Sequence, residues 1–301
     1  MYDLIIIGAG PAGITAAVYA ARKKMNLLVI TRDIGGQAAW SGDIENYTGY
    51  QFISGPELAQ KFEEHMRKYN IALKENEEVI ELKKAGDIVE VKTEKGIYEA
   101  RTAIVASGKR SRELGVPGEK EFKNRGLTYC ATCDGPLFAG KDVAVIGGGN
   151  SALDAALQLM KIAKKVYIIN NTPSLGGDAV MREKAQNSNI VATYNNSKVA
   201  AVLGDKMVTG IKIKKEDMEE QLAVQGIFVE IGLVPNAEFA KDIEKNQIGE
   251  VKVNCHNETN IPGIFAAGDV TDVPEKQIII AAGEGSKASL CVFRYLAQHK
   301  F

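Results

Sequence analysis

The sequence predicts an α/β fold in which one module of strand, glycine turn and helix is inserted into a second of the same build. Three observations carry this. An apolar run ending at Ile7 enters Gly8-Ala9-Gly10-Pro11-Ala12-Gly13, and another ending at Ile146 enters Gly147-Gly148-Gly149-Asn150-Ser151-Ala152. Between the two turns stands Cys130-Ala131-Thr132-Cys133-Asp134, two thiols that can close into a disulfide or open into a dithiol. The length of 301 residues, at 45% hydrophobic content, suits about two domains.

In chain order, residues 2–7 form the first strand and the helix after the turn runs to about Lys23. The spacing G-x-G-x-x-G gives each glycine a task. Gly8 permits the tight turn, Gly10 lets a pyrophosphate approach, and Gly13 lets helix and strand pack closely. Pro11 and Ala12 open the helix, whose N-terminal N–H groups favour negative charge. The second strand, 26–30, ends at Thr31-Arg32-Asp33 without the usual ribose-binding acid, leaving Thr31 as a weaker partner and Asp33 in the turn. Gly35-Gly36-Gln37 and Glu45-Asn46-Tyr47-Thr48-Gly49 read as surface turns or as a loop wrapping a large cofactor. Trp40, inside that loop, either covers the ligand or anchors the loop. Ser54 caps a helix reaching about Lys68, with Pro56 in its first turn. Strands at 79–83, 88–93 and 98–105 make a β-meander of the kind inserted in flavin-binding modules. Ser107 and Gly108 close it with small residues suited to a nearby ligand.

Gly115-Val116-Pro117-Gly118-Glu119 reads as a crossing linker. The second turn is G-x-G-x-x-A, a variant of the dinucleotide fingerprint, so Gly147, Gly149, Asn150, Ser151 and Ala152 are candidate nucleotide contacts in a helix to about Ala163. The strand 165–169 ends at Asn170-Asn171. A 2′-phosphate wants arginine and a free 2′-hydroxyl prefers a carboxylate. Neutral amides are neither, so NADPH is disfavoured and NADH tolerated, with Arg182 the nearest arginine. A helix at 178–184 and strands at 190–194, 199–203, 208–214 and 221–231 follow. Residues 232–236 end the module, and about 244–249 cross back. Strands at 250–254 and 264–270 come next, the latter carrying Gly268-Asp269, whose carboxylate either accepts from a sugar-alcohol hydroxyl or simply ends a turn. Lys276-Gln277-Ile278 opens the last helix, to about Gln298, with its dipole available to negative charge. The predicted domains are 1–113 with 246–301, and 114–245.

A net charge of -1 argues against nucleic-acid and anionic-membrane partners. No apolar stretch approaches the ~20 residues of a membrane span, so a soluble cytoplasmic protein is expected. Four cysteines make no secreted disulfide framework. A lone C-x-x-C lacks the second ligand pair of structural zinc, and no metal is expected. Cys291 reads as a buried apolar residue and Cys255 as a bystander.

Taken in order, residues 8–13, Gly35-Gly36-Gln37, the stretch from Cys130 to Pro136, residues 147–152, Gly268-Asp269 and Lys276-Gln277-Ile278 resemble the low-molecular-weight thioredoxin reductases over essentially the whole length. These are class II pyridine nucleotide-disulfide oxidoreductases. Residues 230–236 and Gly283-Glu284-Gly285 look more like the flavoprotein part of the alkyl hydroperoxide reductase subunit. The resemblance implies two Rossmann-like, three-layer (ββα) nucleotide-binding domains, with FAD in the first and a pyridine nucleotide in the second, and a homodimer. It implies Cys133 as the thiol facing the flavin, Cys130 as the attacker of a partner disulfide, Asp134 as acid/base, and Asp269 and Gln277 as flavin ligands.

The family's NADPH enzymes carry His-Arg-Arg-x-x-x-Arg where this chain has residues 170–176, Asn-Asn-Thr-Pro-Ser-Leu-Gly. The hydroperoxide-reductase branch usually has glutamate at the place of Asn170. Some relatives without the arginine run take electrons from ferredoxin. The expected donor is therefore NADH rather than NADPH, with ferredoxin, or a non-enzymatic flavin redox sensor, as alternatives. The thioredoxin-like extension of that hydroperoxide-reductase flavoprotein is expected to be missing here, so a separate thioredoxin-like dithiol protein is the expected acceptor. Nicotinamide and cysteines share one module, so a hinge rotation near Gly115 and Asn246 is expected.

Overall fold

The computed structural model describes residues 1–299 apart from 42, 45 and 217, and all their side chains except those of Asp43 and Cys133. The chain divides into two compact units, Met1–Arg110 with Val234–Phe301, and Ser111–Leu233.

In the first unit, parallel strands lie in the order Ala72–Lys74, Leu27–Ile34, Tyr2–Ala9, Ile97–Val105 and Ile264–Ala266. Ile97–Val105 serves two partners along one edge. Its first half pairs antiparallel with Ile88–Thr93, Tyr98 opposite Val91, and its last residues pair with Ile264–Ala266, Ile104 opposite Phe265. Val79–Ala85 completes the meander beyond Ile88–Thr93. Alternate side chains of a strand point to opposite faces, and here both faces are covered. Leu4, Ile6, Val29, Ile104 and Phe265 pack with helices Pro11–Arg22 and Ile278–Gln298. Ile5, Ile7, Leu28, Ile30 and Val105 pack with Val89, Val91 and the segment carrying Ala237, Ala240 and Ile243. Burial on both faces is why these strands read as unbroken apolar runs.

The second unit repeats the plan. Leu127–Thr128, Gly226–Val229, Asp142–Ile146, Lys165–Ile169 and Val191–Tyr194 form a parallel sheet in that order. Val143, Val145, Val166, Ile168 and Phe228 face helix Asn150–Leu159. Ala144, Ile146, Ile169, Ile227 and Val229 face a meander of Lys198–Gly204, Val208–Lys215 and Met218–Leu222. The predicted α/β class and Rossmann-like layering are what the chain adopts.

Several expected boundaries move. The predicted strand 221–231 is two strands, because the chain leaves the meander after Leu222 and joins the parallel sheet at Gly226. The crossing back falls at Val234 and not at 246, since Ala237, Ala240 and Ile243 belong to the first unit's core. Residues 250–254 make only isolated bridges at Val251. Side chains of Asn246 and Asn254 bond nearby backbone N–H groups there, competing with a ladder. The strand predicted to 270 stops at Ala266, before Gly268 turns with φ +78°. Helix Asn150–Leu159 ends short of Ala163, and Asp33 lies in strand Leu27–Ile34 rather than in a turn.

Helices Pro11–Arg22 and Ile278–Gln298 meet where Gly285 faces Ala12. A methyl added to Gly285 would lie 2.0 Å from Ala12 O. Gly285→Ala is expected to destabilise the protein by about 1–3 kcal/mol through overpacking. Urea unfolding would check this, and an unchanged midpoint would contradict the crossing described.

Candidate functional site

The first fingerprint shows why its glycines stand where they do. Gly8 has φ +104°, and a methyl there would come within 2.4 Å of Ala106 O. One on Gly13 would meet Gly8 O at 1.9 Å, so helix and turn touch through bare backbone. Gly10 differs, since a methyl there would meet nothing within 4 Å. Gly10 is the extended N-cap of helix Pro11–Arg22, with no side-chain cap. This is open space before a helix N-terminus, the setting that suits a pyrophosphate.

Other candidate residues converge on this turn. Gly35 donates its N–H to Ala9 O at 2.8 Å, and a methyl on Gly36 would lie 3.3 Å from Gly10 Cα. A methyl on Gly268 would lie 2.9 Å from Ala12 Cβ. Gln37 Nε2 donates to Lys109 O at 2.6 Å, fixing the short 3₁₀ turn Gly36–Trp40. Asn46 Nδ2 donates to Gln277 Oε1 at 3.0 Å, joining the Asn46 loop to the N-cap of helix Ile278–Gln298; Glu45 lies outside the described residues. Trp40 is half exposed. Ser107 Oγ donates to Asn236 O at 2.6 Å, and Asn236 N donates to Gly108 O at 2.9 Å. Asn236 thus works in the first unit, although its sequence context suggests the second. Thr31 is committed elsewhere: its hydroxyl is buried, donates to Asp33 O at 2.5 Å and accepts from Ala9 N at 3.2 Å. It is therefore no ribose partner.

Asp269 holds its proton more tightly than an ordinary carboxyl because it is buried, an effect opposed by Lys276 and Lys109 and reinforced by Glu250. Those three form a network that sequence reading missed except for Lys276. Glu250 Oε1 takes Lys109 Nζ at 2.7 Å and Lys276 Nζ at 3.1 Å, and Glu250 Oε2 accepts from Asn246 Nδ2 at 2.7 Å. Burial raises the Glu250 carboxyl, but the bonds from Lys109, Asn246 and Lys276 outweigh it and leave it low. Nothing local to Lys109 or Glu250 announces a pair 141 residues apart. A glycine cradle beside a buried carboxyl and two ammonium groups fits the pyrophosphate and hydroxyls of a dinucleotide such as FAD.

The second fingerprint has the same turn, with Ala152 where the first has Gly13. Gly147 has φ +137°, and a methyl there would lie 2.1 Å from Glu230 O and 3.1 Å from Ala152 Cβ. Gly149, the N-cap of helix Asn150–Leu159, again faces open space. Ser151 is exposed in the first turn. The chain after Asn170 folds onto this turn. Gly176 N donates to Gly148 O at 2.7 Å, and Asp178 N to Asn150 Oδ1 at 2.7 Å. Asn170 is buried, and its amide is spent inside the unit: Nδ2 donates to Asn195 Oδ1 at 2.9 Å and Thr172 O at 3.1 Å, while Oδ1 accepts from the Thr172 hydroxyl at 2.9 Å. Arg182 donates to Leu175 O at 3.4 Å, and its buried Nε has no partner among the described residues. The turn fits a pyrophosphate, whereas the Asn170 amide is committed inside the unit.

Cys130 is disulfide-bonded, whereas Cys255 and Cys291 are free, exposed and buried respectively. The side chain of Cys133 lies outside the described ones. Cys133 lies in the single helical turn Ala131–Asp134 and Cys130 immediately precedes it, two residues after strand Leu127–Thr128. One turn has little stability of its own, and flanking side chains hold it. The Thr128 hydroxyl donates to Asp134 Oδ2 and accepts from Cys130 N at 3.2 Å. Thr132 Oγ1 donates to Gln158 Oε1 at 2.9 Å, and Gln158 Nε2 to Asp154 Oδ2 at 2.8 Å. Upstream, buried Glu119 accepts from Tyr129 OH at 2.7 Å and from Leu114 N and Gly115 N at 2.6 Å each.

Glu230 follows strand Gly226–Val229 beside Gly147. Burial, and then the nearby Asp154, push its carboxyl up to about 8. The folded state therefore binds this proton more tightly than the unfolded chain does, favouring folding at low pH. That contribution fades as pH rises through about 8. Glu230→Gln is expected to gain stability over the natural protein between about pH 5 and about pH 9, increasingly so toward the alkaline end. Urea unfolding at several pH values would check this, and a constant difference would contradict it.

Residues 2–285 match the pyridine nucleotide-disulphide oxidoreductase family. The chain is 45% identical over 303 residues to a Pseudomonas aeruginosa protein named as an alkyl hydroperoxide reductase subunit, spanning 98% of this chain and 58% of that protein. It is 41% identical over 302 residues to a protein named NADH dehydrogenase from Bacillus subtilis, spanning 99% of this chain and 59% of that protein. The chain thus spans little more than half the length of these curated relatives. Its structure matches thioredoxin reductase from Lactococcus lactis with a TM-score of 0.92 at 35% identity, covering 99% of this chain and 100% of that one. With two glycine turns in Rossmann-like units and a cysteine turn between them, the chain belongs to the pyridine nucleotide-disulphide oxidoreductase family.

Proposed function

We propose that the chain is a flavin-dependent disulfide reductase that passes electrons from NADH, through FAD and a Cys130–Cys133 disulfide, to a small thioredoxin-like protein. The observation that carries this reading is the cysteine turn itself. A disulfide-bonded Cys130 starts a turn pinned by Thr128 and Gln158, in the same unit as the second dinucleotide fingerprint. The first unit's cradle at Gly8, Gly10 and Gly13, with Gly35, Gly36 and Asp269, would hold FAD. The second cradle, at Gly147, Gly149 and the N-terminus of helix Asn150–Leu159, would hold the pyridine nucleotide. FAD, when bound, accepts a hydride and supplies two electrons.

Those two electrons break the Cys130–Cys133 bond, and two protons complete the dithiol, one of them delivered by Asp134. Cys130, as thiolate, then attacks a sulfur of the acceptor's disulfide and expels one acceptor thiolate. Cys133, as thiolate, attacks Cys130 Sγ, releases the second acceptor thiol and restores the original disulfide.

NADH is preferred to NADPH because no arginine follows strand Lys165–Ile169 directly, and because relatives bear the name NADH dehydrogenase. A second reading, with ferredoxin as donor, is favoured by the commitment of the Asn170 amide to Asn195 and Thr172. Anaerobic bleaching of bound flavin by NADH, NADPH and reduced ferredoxin separates the two. NADH should bleach fastest; bleaching by ferredoxin alone would establish the second reading. Cys133→Ser should retain FAD yet lose reduction of thioredoxin, and full turnover in that variant would sink the mechanism.

A further inference from the structure

Asp134 can move a proton productively only if its carboxyl stays beside the cysteines, and its own one-turn helix is too short to guarantee that. The nearest rigid element is the sheet. Thr128 belongs to it, with Leu127 paired to Ile227 and Thr128 to Phe228, and Thr128 is 6% exposed. A hydroxyl has one proton to donate and lone pairs to accept. Thr128 uses both toward the cysteine turn, donating to Asp134 Oδ2 and accepting from Cys130 N at 3.2 Å. The turn's backbone closes the same ring, Asp134 N donating to Cys130 O at 3.2 Å. One side chain of the sheet therefore ties the start of the cysteine turn to the carboxyl at its end.

We propose that Thr128 is a positioning residue for disulfide reduction, holding the Asp134 carboxyl in register with Cys130 through this two-way hydroxyl. This rests on the reading of Asp134 as the acid/base. With Oδ2 held by Thr128, Oδ1 is the oxygen that exchanges a proton with a cysteine sulfur as the disulfide opens. The Thr128 hydroxyl contacts both Asp134 and Cys130 N, so its loss acts through the placement of that carboxyl and of the turn that carries it. Among the described residues of this region, Glu119 is held by Tyr129 and the linker N–H groups, and Asp154 by Gln158.

The test uses the FAD-loaded chain, reduced anaerobically with dithionite and mixed with oxidised thioredoxin, with flavin absorbance reporting electron delivery. Thr128→Val keeps the shape and removes the hydroxyl. Losing one hydrogen bond to a charged group should slow delivery roughly tenfold, with the concentration of thioredoxin for half-maximal rate unchanged. Thr128→Ser restores the hydroxyl and should recover most of the rate. In an Asp134→Asn background, Thr128→Val should add much less than it does alone, leaving only the loss of the Cys130 N contact. If Thr128→Val binds FAD poorly, Thr128→Ala against Thr128→Ser carries the same comparison. Equal rates in Thr128→Val and the natural chain, failure of Thr128→Ser to recover, or full additivity with Asp134→Asn would each overturn the proposal. No delivery from the natural chain, or full delivery from Asp134→Asn alone, would instead overturn the reading beneath it.

Discussion

Both units depend on one steric requirement, that a helix begin almost in contact with the end of the strand before it. In the first unit, a methyl on Gly13 would fall 1.9 Å from Gly8 O, which no side chain survives. In the second, position 152 already carries a methyl, and the turn is wide enough to keep it. The same closeness aims the helix N-terminus at the space above Gly10 and above Gly149. At both turns the position before the helix, Gly10 in one and Gly149 in the other, is the one left open. Within the second unit, the cysteine turn is a short helix braced by its neighbours' side chains.

The fold was legible because its signals are local and steric. Glycines at 8, 10, 13, 147 and 149 answer to backbone geometry, and apolar runs buried on two faces look the same in any context. The cysteine turn was equally plain from spacing. What the residues could not reveal was partnership over distance. Asn170 looks available to a ribose until Asn195, 25 positions on, occupies its amide. Thr31 looks available until Ala9 and Asp33 claim its hydroxyl. Lys109 and Glu250 carry no local signature at all, and the position of Glu230 against Gly147 follows from strand order alone. Thr128 is an intermediate case, since a hydroxyl two residues before the first cysteine is visible but its bond to Asp134 is not.

The electrostatics of the two units differ in kind. Around Asp269 the carboxylates are answered by ammonium groups, Glu250 by two lysines at once. A buried pair of this kind is costly to break from one side only. Around the second fingerprint, burial and then the nearby Asp154 raise the Glu230 carboxyl, so the group keeps its proton up to about pH 8. The first arrangement is static; the second changes charge within the range in which proteins work.

The two sheets share a spatial order but obtain their outermost strand from opposite directions in the chain. In the second unit, Leu127–Thr128 comes before the fingerprint strand, so every strand of that sheet lies within Ser111–Leu233. In the first, Ile264–Ala266 arrives only after the whole inserted unit has been made. During synthesis, the inserted unit can close its sheet while the other still lacks an edge strand and the long helix Ile278–Gln298 that covers one face. Domains tend to fold as units as they emerge. Here the half made first must wait with apolar surface uncovered for the half made last, and the nascent chain is most vulnerable to aggregation over that interval.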